Sequence, residues 1–166
     1  MKIIAAILLF ACVAAAQDKA ALTAAEAACG PREMHFTVKP DPSQHPTPPP
    51  GSGKALLYVV QEDRITTRFA ADGKWVGANK GRTYFFIQID PGEHHLCAMR
   101  TSSAHGPGTR VSLHELKAES GKTYYFSPRI YSHVYVGASR FDLSLVDPDE
   151  GKALVANGIF STWAPK

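Results

Sequence analysis

The stretch KALLYVVQ, Lys54 to Gln61, decides the fold. Six apolar residues run together here, stopped by Gly53 before them and by Glu62-Asp63-Arg64 after them. A run this short, rich in β-branched and aromatic residues and fenced by charges, reads as a central β-strand with gatekeepers. Everything C-terminal to it continues the β pattern. ITTRFA leads into Asp72-Gly73, the dipeptide of a type I′ hairpin, and KWVGA returns from it. TYFFIQI, residues 83–89, ends at Asp90-Pro91-Gly92, a turn with proline preset at its second position, and EHHLCAMR is expected as its paired strand. SSAHGPG reads as a loop. Val111, Leu113 and Glu115 alternate in the next segment, Gly121 turns the chain into KTYYFSPRIY, and Phe141, Leu143 and Leu145 alternate in FDLSLV. Seven or eight short strands with turn signals roughly every ten residues predict a sandwich or barrel. After them, Asp147-Pro148-Asp149-Glu150 supplies an N-cap, a proline at the first helical position and first-turn acids, so one short helix is expected over about 148–156. Gly151 weakens its interior, Leu154 and Val155 can face the sheet, and Asn157-Gly158 ends it.

The sequence changes character on the other side of Lys54. Residues 39–53, KPDPSQHPTPPPGSG, hold six prolines between Pro40 and Pro50. Without backbone donors and with φ fixed, they predict an extended, PPII-like and largely solvent-exposed crossing segment. Before it, Met34, Phe36 and Val38 alternate with His35, Thr37 and Lys39 as in a strand, so residues 29–53 form an N-terminal strand plus crossing segment ahead of a β-sandwich domain over 54–166. Residues 17–28 are Ala-rich and read as a tether or a frayed helix.

The first sixteen residues read as an address. Lys2 precedes an uncharged run from Ile3 to Val13, and Ala14-Ala15-Ala16 offers a signal-peptidase site before Gln17; an ordinary buried N-terminal helix is the alternative. Leu9-Phe10-Ala11-Cys12 has the outline of a lipobox, which would make the chain a lipid-anchored accessory subunit held through Cys12. No apolar run reaches the ~18 residues of a spanning helix. Cleavage leaves two of the three cysteines, Cys29 and Cys97. In an oxidising compartment they are expected to pair, closing a long loop with a gain of about 4 kcal/mol. Two separate buried thiols are the alternative.

Composition narrows the function. The 166 residues are 45% hydrophobic, which suits a globular chain, and the net charge of +3 is small and scattered, so nucleic acid is not an indicated partner. Seven histidines, His35, His45, His94, His95, His105, His114 and His133, raise a metal reading. Zinc sites usually need paired ligands at short spacing, whereas the adjacent His94 and His95 point to opposite faces of a strand. No nucleophile elbow, P-loop or dinucleotide fingerprint occurs, so no enzyme and no cofactor is expected. Tyr84, Phe86 and Tyr125 form a candidate outward aromatic stripe, either cross-strand packing or a binding surface, while Phe85 and Phe126 face inward.

In chain order, GKALLYVVQ, ADGKWVG, YFFIQIDPGEHHLCA and LKAESGKTYYF resemble the domain-of-unknown-function 2846 family of exported bacterial proteins. That family shows a D-G-K-x-V-G hairpin, a P-P-G-x-H-x-L-x-A turn and strand, and an E-A-G-K-x-Y-Y segment. The matching residues are Asp72, Gly73, Lys74, Val76 and Gly77, then Pro91, Gly92, His94, Leu96 and Ala98, then Glu119, Gly121, Lys122, Tyr124 and Tyr125. Asp90 and Ser120 depart from the pattern. The resemblance spans about residues 54–146 and implies a small antiparallel β-sandwich, transthyretin-like or immunoglobulin-like, with no catalytic residue to carry over; His94 is expected to cap backbone carbonyls at the sandwich end. The resulting expectation is an exported, periplasmic or secreted, non-enzymatic module of the bacterial cell envelope, binding or structural, whose partner is an envelope protein, peptide or glycan. The alternatives are a histidine-based metal-binding protein or small envelope enzyme, and the lipid-anchored subunit.

Overall fold

The computed structural model describes residues 29–31, 34–100, 111–132 and 139–166. The signal segment 1–16 with Cys12, the tether 17–28, Ser102-Ser103, His105, His133 and Tyr135 lie outside the described residues. The described residues form an all-β sandwich with one short helix. Its strands are β1 (Phe36–Pro40), β2 (Ala55–Gln61), β3 (Thr67–Ala71), β4 (Lys74–Asn79), β5 (Thr83–Ile89), β6 (Gly92–Arg100), β7 (Val111–Ala118), β8 (Thr123–Ser132), β9 (Ser139–Val146) and β10 (Ile159–Pro165), with α1 (Pro148–Asn157) between β9 and β10. One sheet has the order β1-β10-β5-β2-β8-β9 and the other β4-β3-β6-β7. Pairing is antiparallel except for β2 with β8 and β5 with β10.

KALLYVVQ is the central strand expected, and the alternation of its side chains divides the molecule. Ala55, Leu57 and Val59 enter the core between the sheets, against Phe69, Phe85, Leu96, Phe126 and Leu143. Leu56, Tyr58 and Val60 face the other way. Both sets are buried, each large apolar side chain contributing about 1.5–3 kcal/mol. Asp72 and Gly73 take φ of 52° and 74°, the pair of positive values that a type I′ turn requires, and so close the β3–β4 hairpin.

Three expectations are corrected. β6 does not pair with β5, because β2 and β10 already occupy both edges of β5; Asp90-Pro91-Gly92 instead carries the chain from one sheet to the other, where β6 pairs with β3 and β7. The tail does not end its regular structure at Gly158. IFSTWAP forms β10, antiparallel to β1 along five residues and parallel to β5 at Ile159 and Phe160. Residue 53 therefore marks no domain boundary, since β1 is the edge strand of the larger sheet. Its Pro40 sits there as edge strands permit.

Cys29 and Cys97 are joined by a disulfide, with Cα atoms 5.2 Å apart and both residues fully buried. The bond lies on the outer face of the smaller sheet, with Ala70 and Met99 beside it and Trp75 and Val111 packed against them. Asn79 links the layers. Its Nδ2 donates to the Val59 carbonyl at 2.8 Å, and its Oδ1 accepts from the Ser161 hydroxyl at 3.2 Å.

Candidate site: a tyrosine face under a proline strap

The outward face of the larger sheet collects aromatic rings because β2, β5, β8 and β10 present them in register. Tyr58 pairs with Phe86 across β2–β5 and with Tyr125 across β2–β8. Tyr58 and Tyr125 stack with centroids 5.3 Å apart and planes 12° apart, and Tyr58–Phe86 and Tyr84–Phe160 meet at 5.7 Å. Tyr84, Phe86 and Tyr125 thus share one outward face as the alternation predicts. Sequence reasoning missed Tyr58, at the centre of the cluster, because it stands inside an apolar run, and Phe160, because β10 was not recognised.

This face is not open sheet: Tyr84 is 0% and Tyr125 9% exposed. Helix α1 covers one end. Asp147 caps it by accepting from the Asp149 N–H at 2.8 Å, and Val155 and Leu154 pack onto the tyrosines. Gly151 permits the approach, since a Cβ there would lie 2.2 Å from Tyr125 Cγ. The proline segment covers the other end. The Asp41 N–H donates to the Phe160 carbonyl at 2.7 Å, and the Asp41 carboxylate accepts from the Ser43 hydroxyl at 2.6 Å. From there the chain runs extended through His45–Pro50, with Pro46, Pro48 and Pro50 half-buried and Thr47 and Pro49 exposed. The Tyr84 hydroxyl donates to the Pro46 carbonyl and the Tyr58 hydroxyl to the Pro48 carbonyl, each at 3.2 Å, while the His45 ring meets Tyr84 edge-on at 5.2 Å. The segment is extended as expected but packed as a strap rather than largely exposed. Prolines lack donors, yet their carbonyls remain acceptors, and tyrosine is the side chain that combines an apolar ring with a donor.

Burial, then the neighbouring Tyr125 and Tyr84, push the Tyr58 hydroxyl up to about 12. Burial also raises Tyr84, and raises Tyr125 although Lys152 pulls it the other way. All three hydroxyls therefore stay neutral donors near neutral pH. Between strap and helix an open cleft of about 310 Å³ remains, lined by His45, Thr47 and Pro48 of the strap, Tyr58, Thr123 and Tyr125 of the sheet, and Lys152, Val155 and Ala156 of α1. The Tyr125 hydroxyl makes no hydrogen bond to the described residues. The cleft thus offers a ring of donors over an apolar floor, an arrangement that can hold a small polar ligand.

The turn motif sits elsewhere, at one end of the sandwich. His94 Nδ1 lies 2.7 Å from Asp72 Oδ2 and its Nε2 lies 2.8 Å from the Asp90 carbonyl, while Asp72 Oδ1 accepts from the His95 N–H at 2.9 Å. Both ring nitrogens face acceptors, which only the doubly protonated imidazolium satisfies. Burial opposes that charge, but the hydrogen bonds to Asp72 and Asp90 and the charges of both carboxylates outweigh it and raise the His94 pKa. Asp72, Gly73, Pro91, Gly92 and His94 are therefore brought together as a staple between two turns. His95 points away, and His114 meets Phe126 edge-on at 5.0 Å. Among the described residues no group of three or more His, Cys, Asp or Glu is arranged around a common point. No helix among them is long and apolar enough to cross a membrane. Comparison of the chain with protein-family models, with curated proteins and with solved structures found no match.

Proposed function

We propose that this chain is an exported, non-catalytic β-sandwich module of the bacterial cell envelope that binds a small polar ligand, a sugar unit or a short peptide, in the cleft between the proline strap and α1. The observation that carries this reading is the cleft itself, where the Tyr125 hydroxyl, on a ring otherwise buried, is left without a partner among the described residues. The buried Cys29–Cys97 disulfide fits an oxidising compartment and supports export. The likeness to the domain-of-unknown-function 2846 family agrees with a scaffold role, because its motif residues act here as a turn staple.

The test is a titration of the ¹⁵N-labelled mature chain with a panel of envelope-derived sugars and short peptides. The expected result is saturable shifts at Thr47, Thr123 and Tyr125, abolished by Ala156→Trp, which fills the cleft from an exposed helix position. Failure of every panel member to move these residues, or binding indifferent to Ala156→Trp, overturns the reading.

A further inference from the structure

A second concave surface lies away from the tyrosine face. A groove of about 560 Å³ is lined by His35, Phe36, Arg64, Ile65, Thr66, Lys80 and Lys166, with no carboxylate side chain among them. Its cations come from separate elements: the β2–β3 loop, the β4–β5 turn and the end of β10. None of the three is in an ion pair with a described residue, whereas Lys54, Lys122, Arg129 and Lys152 pair with Asp90, Glu119, Glu150 and Asp149.

The acids beside Arg64 in sequence do not line the groove. Asp63 accepts from Gln61 Nε2 at 2.6 Å and from the Ile65 N–H at 2.9 Å, and it pairs with the buried Arg100 at 3.4 Å. Glu62 lines a different cleft, with Arg82. The rim is also held in place. The Thr83 hydroxyl bonds the Lys80 backbone, and the Lys166 N–H donates to the His35 carbonyl at 2.9 Å. Like charges gathered along one groove, with no carboxylate side chain of a described residue in its lining, repel one another, and an anion seated between them reduces that repulsion while gaining attraction from each.

We propose that this groove binds a phosphate-bearing anion, with Arg64 and Lys80 as its principal contacts and the Thr66 hydroxyl and His35 ring as further hydrogen-bond partners. Concavity favours a compact, multiply charged group over a single carboxylate. The phosphate could belong to a soluble molecule or to a lipid headgroup.

The experiment titrates the ¹⁵N-labelled chain at low ionic strength, in one arm with sodium pyrophosphate and in the other with phosphatidylcholine vesicles with and without phosphatidylglycerol. The expected result is saturable shifts of the His35, Ile65, Thr66 and Lys80 amides with a Kd of about 1 mM. Binding should weaken at ~0.15 M salt, where the screening length falls to about 8 Å. Arg64→Gln and Lys80→Gln should each weaken it about fivefold, the size of a solvent-exposed charge contact. Both side chains are exposed, and unchanged circular dichroism would confirm that the variants fold. Response to pyrophosphate alone assigns a soluble phosphate, and response only to the anionic vesicles assigns a headgroup. No response in either arm overturns the proposal, as does full binding by the double variant. Shifts centred on Thr47, Thr123 and Tyr125 also overturn it, and they would leave the cleft reading standing.

Discussion

The two faces of β2 are buried to almost the same degree and by opposite means. On one, Leu57 and Val59, 1% and 4% exposed, meet aliphatic and phenylalanine side chains from the facing sheet. On the other, Tyr58, also 4% exposed, is covered by a helix and by a proline strap whose carbonyls accept from tyrosine hydroxyls. The first face needs only area removed from water. The second works only if each hydroxyl shut off from water finds an acceptor, because an unmet one costs about 1–3 kcal/mol; the Tyr125 hydroxyl avoids that cost by opening onto the cleft. A sandwich needs one sheet face for its core. Here the second face is given polar partners and a cleft, while the first holds the frame.

The largest loss should come from opening the inner face. Phe126, 1% exposed, lies in the core with Leu57 and Phe141. Phe126→Ala should cost about 3–5 kcal/mol in urea unfolding, the range for a buried phenylalanine that leaves a cavity. A loss below about 1.5 kcal/mol would mean that this side is no more tightly packed than the strapped one.

Next comes the seat of α1. Gly151 to Ala normally stabilises an exposed helix position by about 1 kcal/mol. Here the added Cβ would fall 2.2 Å from Tyr125 Cγ, and Tyr125 cannot retreat because it stacks on Tyr58. Gly151→Ala should therefore destabilise by about 1–3 kcal/mol, as overpacking does. The sign alone decides: a stabilised variant would show that α1 is not held against the tyrosine face.

What could be read from the sequence follows the same division. The strands of the inner core were legible because each carries its own local signal: Asp72-Gly73 sets a hairpin and the KALLYVVQ run sets a centre. The missing parts are those that depend on distant partners. Asp90-Pro91-Gly92 announces a reversal, but nothing in it says which sheet the outgoing strand joins. Ile159–Pro165 mixes polarity on both faces, and its buried Ser161 makes sense only beside Asn79, 82 residues away. Prolines signal extension, and only the tyrosines beneath them, supplied by β2 and β5, show that the extended chain is packed. Gly151 reads as a weak point within a helix, whereas its role is set by Tyr125.

The strap itself is probed by removing its two donors. Tyr84→Phe and Tyr58→Phe keep the rings and delete the bonds to the Pro46 and Pro48 carbonyls. Each should cost about 0.5–1 kcal/mol, the net worth of a neutral hydrogen bond whose acceptor can turn to water. The His45 ring protons, held against Tyr84, should move toward solution values in Tyr84→Phe if the strap loosens. Unchanged stability and unchanged His45 signals in both variants would mean that packing of Pro46, Pro48 and Pro50 alone holds the strap.

The smallest effect belongs to the Asp72–His94 staple, which lies outside both faces and gives a pH signature that neither of them has. The His94 pKa is raised above its ordinary 6.5, and the Asp72 carboxyl, despite the opposing effect of burial, is lowered below 3.8 by its bonds to His94 and the His95 N–H. A raised histidine contributes stability that is complete below 6.5 and is lost as pH rises through the folded value. A lowered carboxyl contributes above 3.8 and fails as pH falls through its folded value. The staple is thus at full strength between those limits. Asp72 is half exposed, so solvent screens the pair and its worth should be about 0.5 kcal/mol, as for other surface ion pairs. An NMR titration of His94 should give a midpoint above 6.5 in the native chain and nearer 6.5 in Asp72→Asn, an exchange the left-handed backbone at residue 72 tolerates. The stability gap between the two proteins should be wider at pH 5.5 than at pH 8.5. A gap that stays constant, or a His94 midpoint indifferent to residue 72, would mean that the two turns are held by their backbone bonds and that the ring bridges them without its charge.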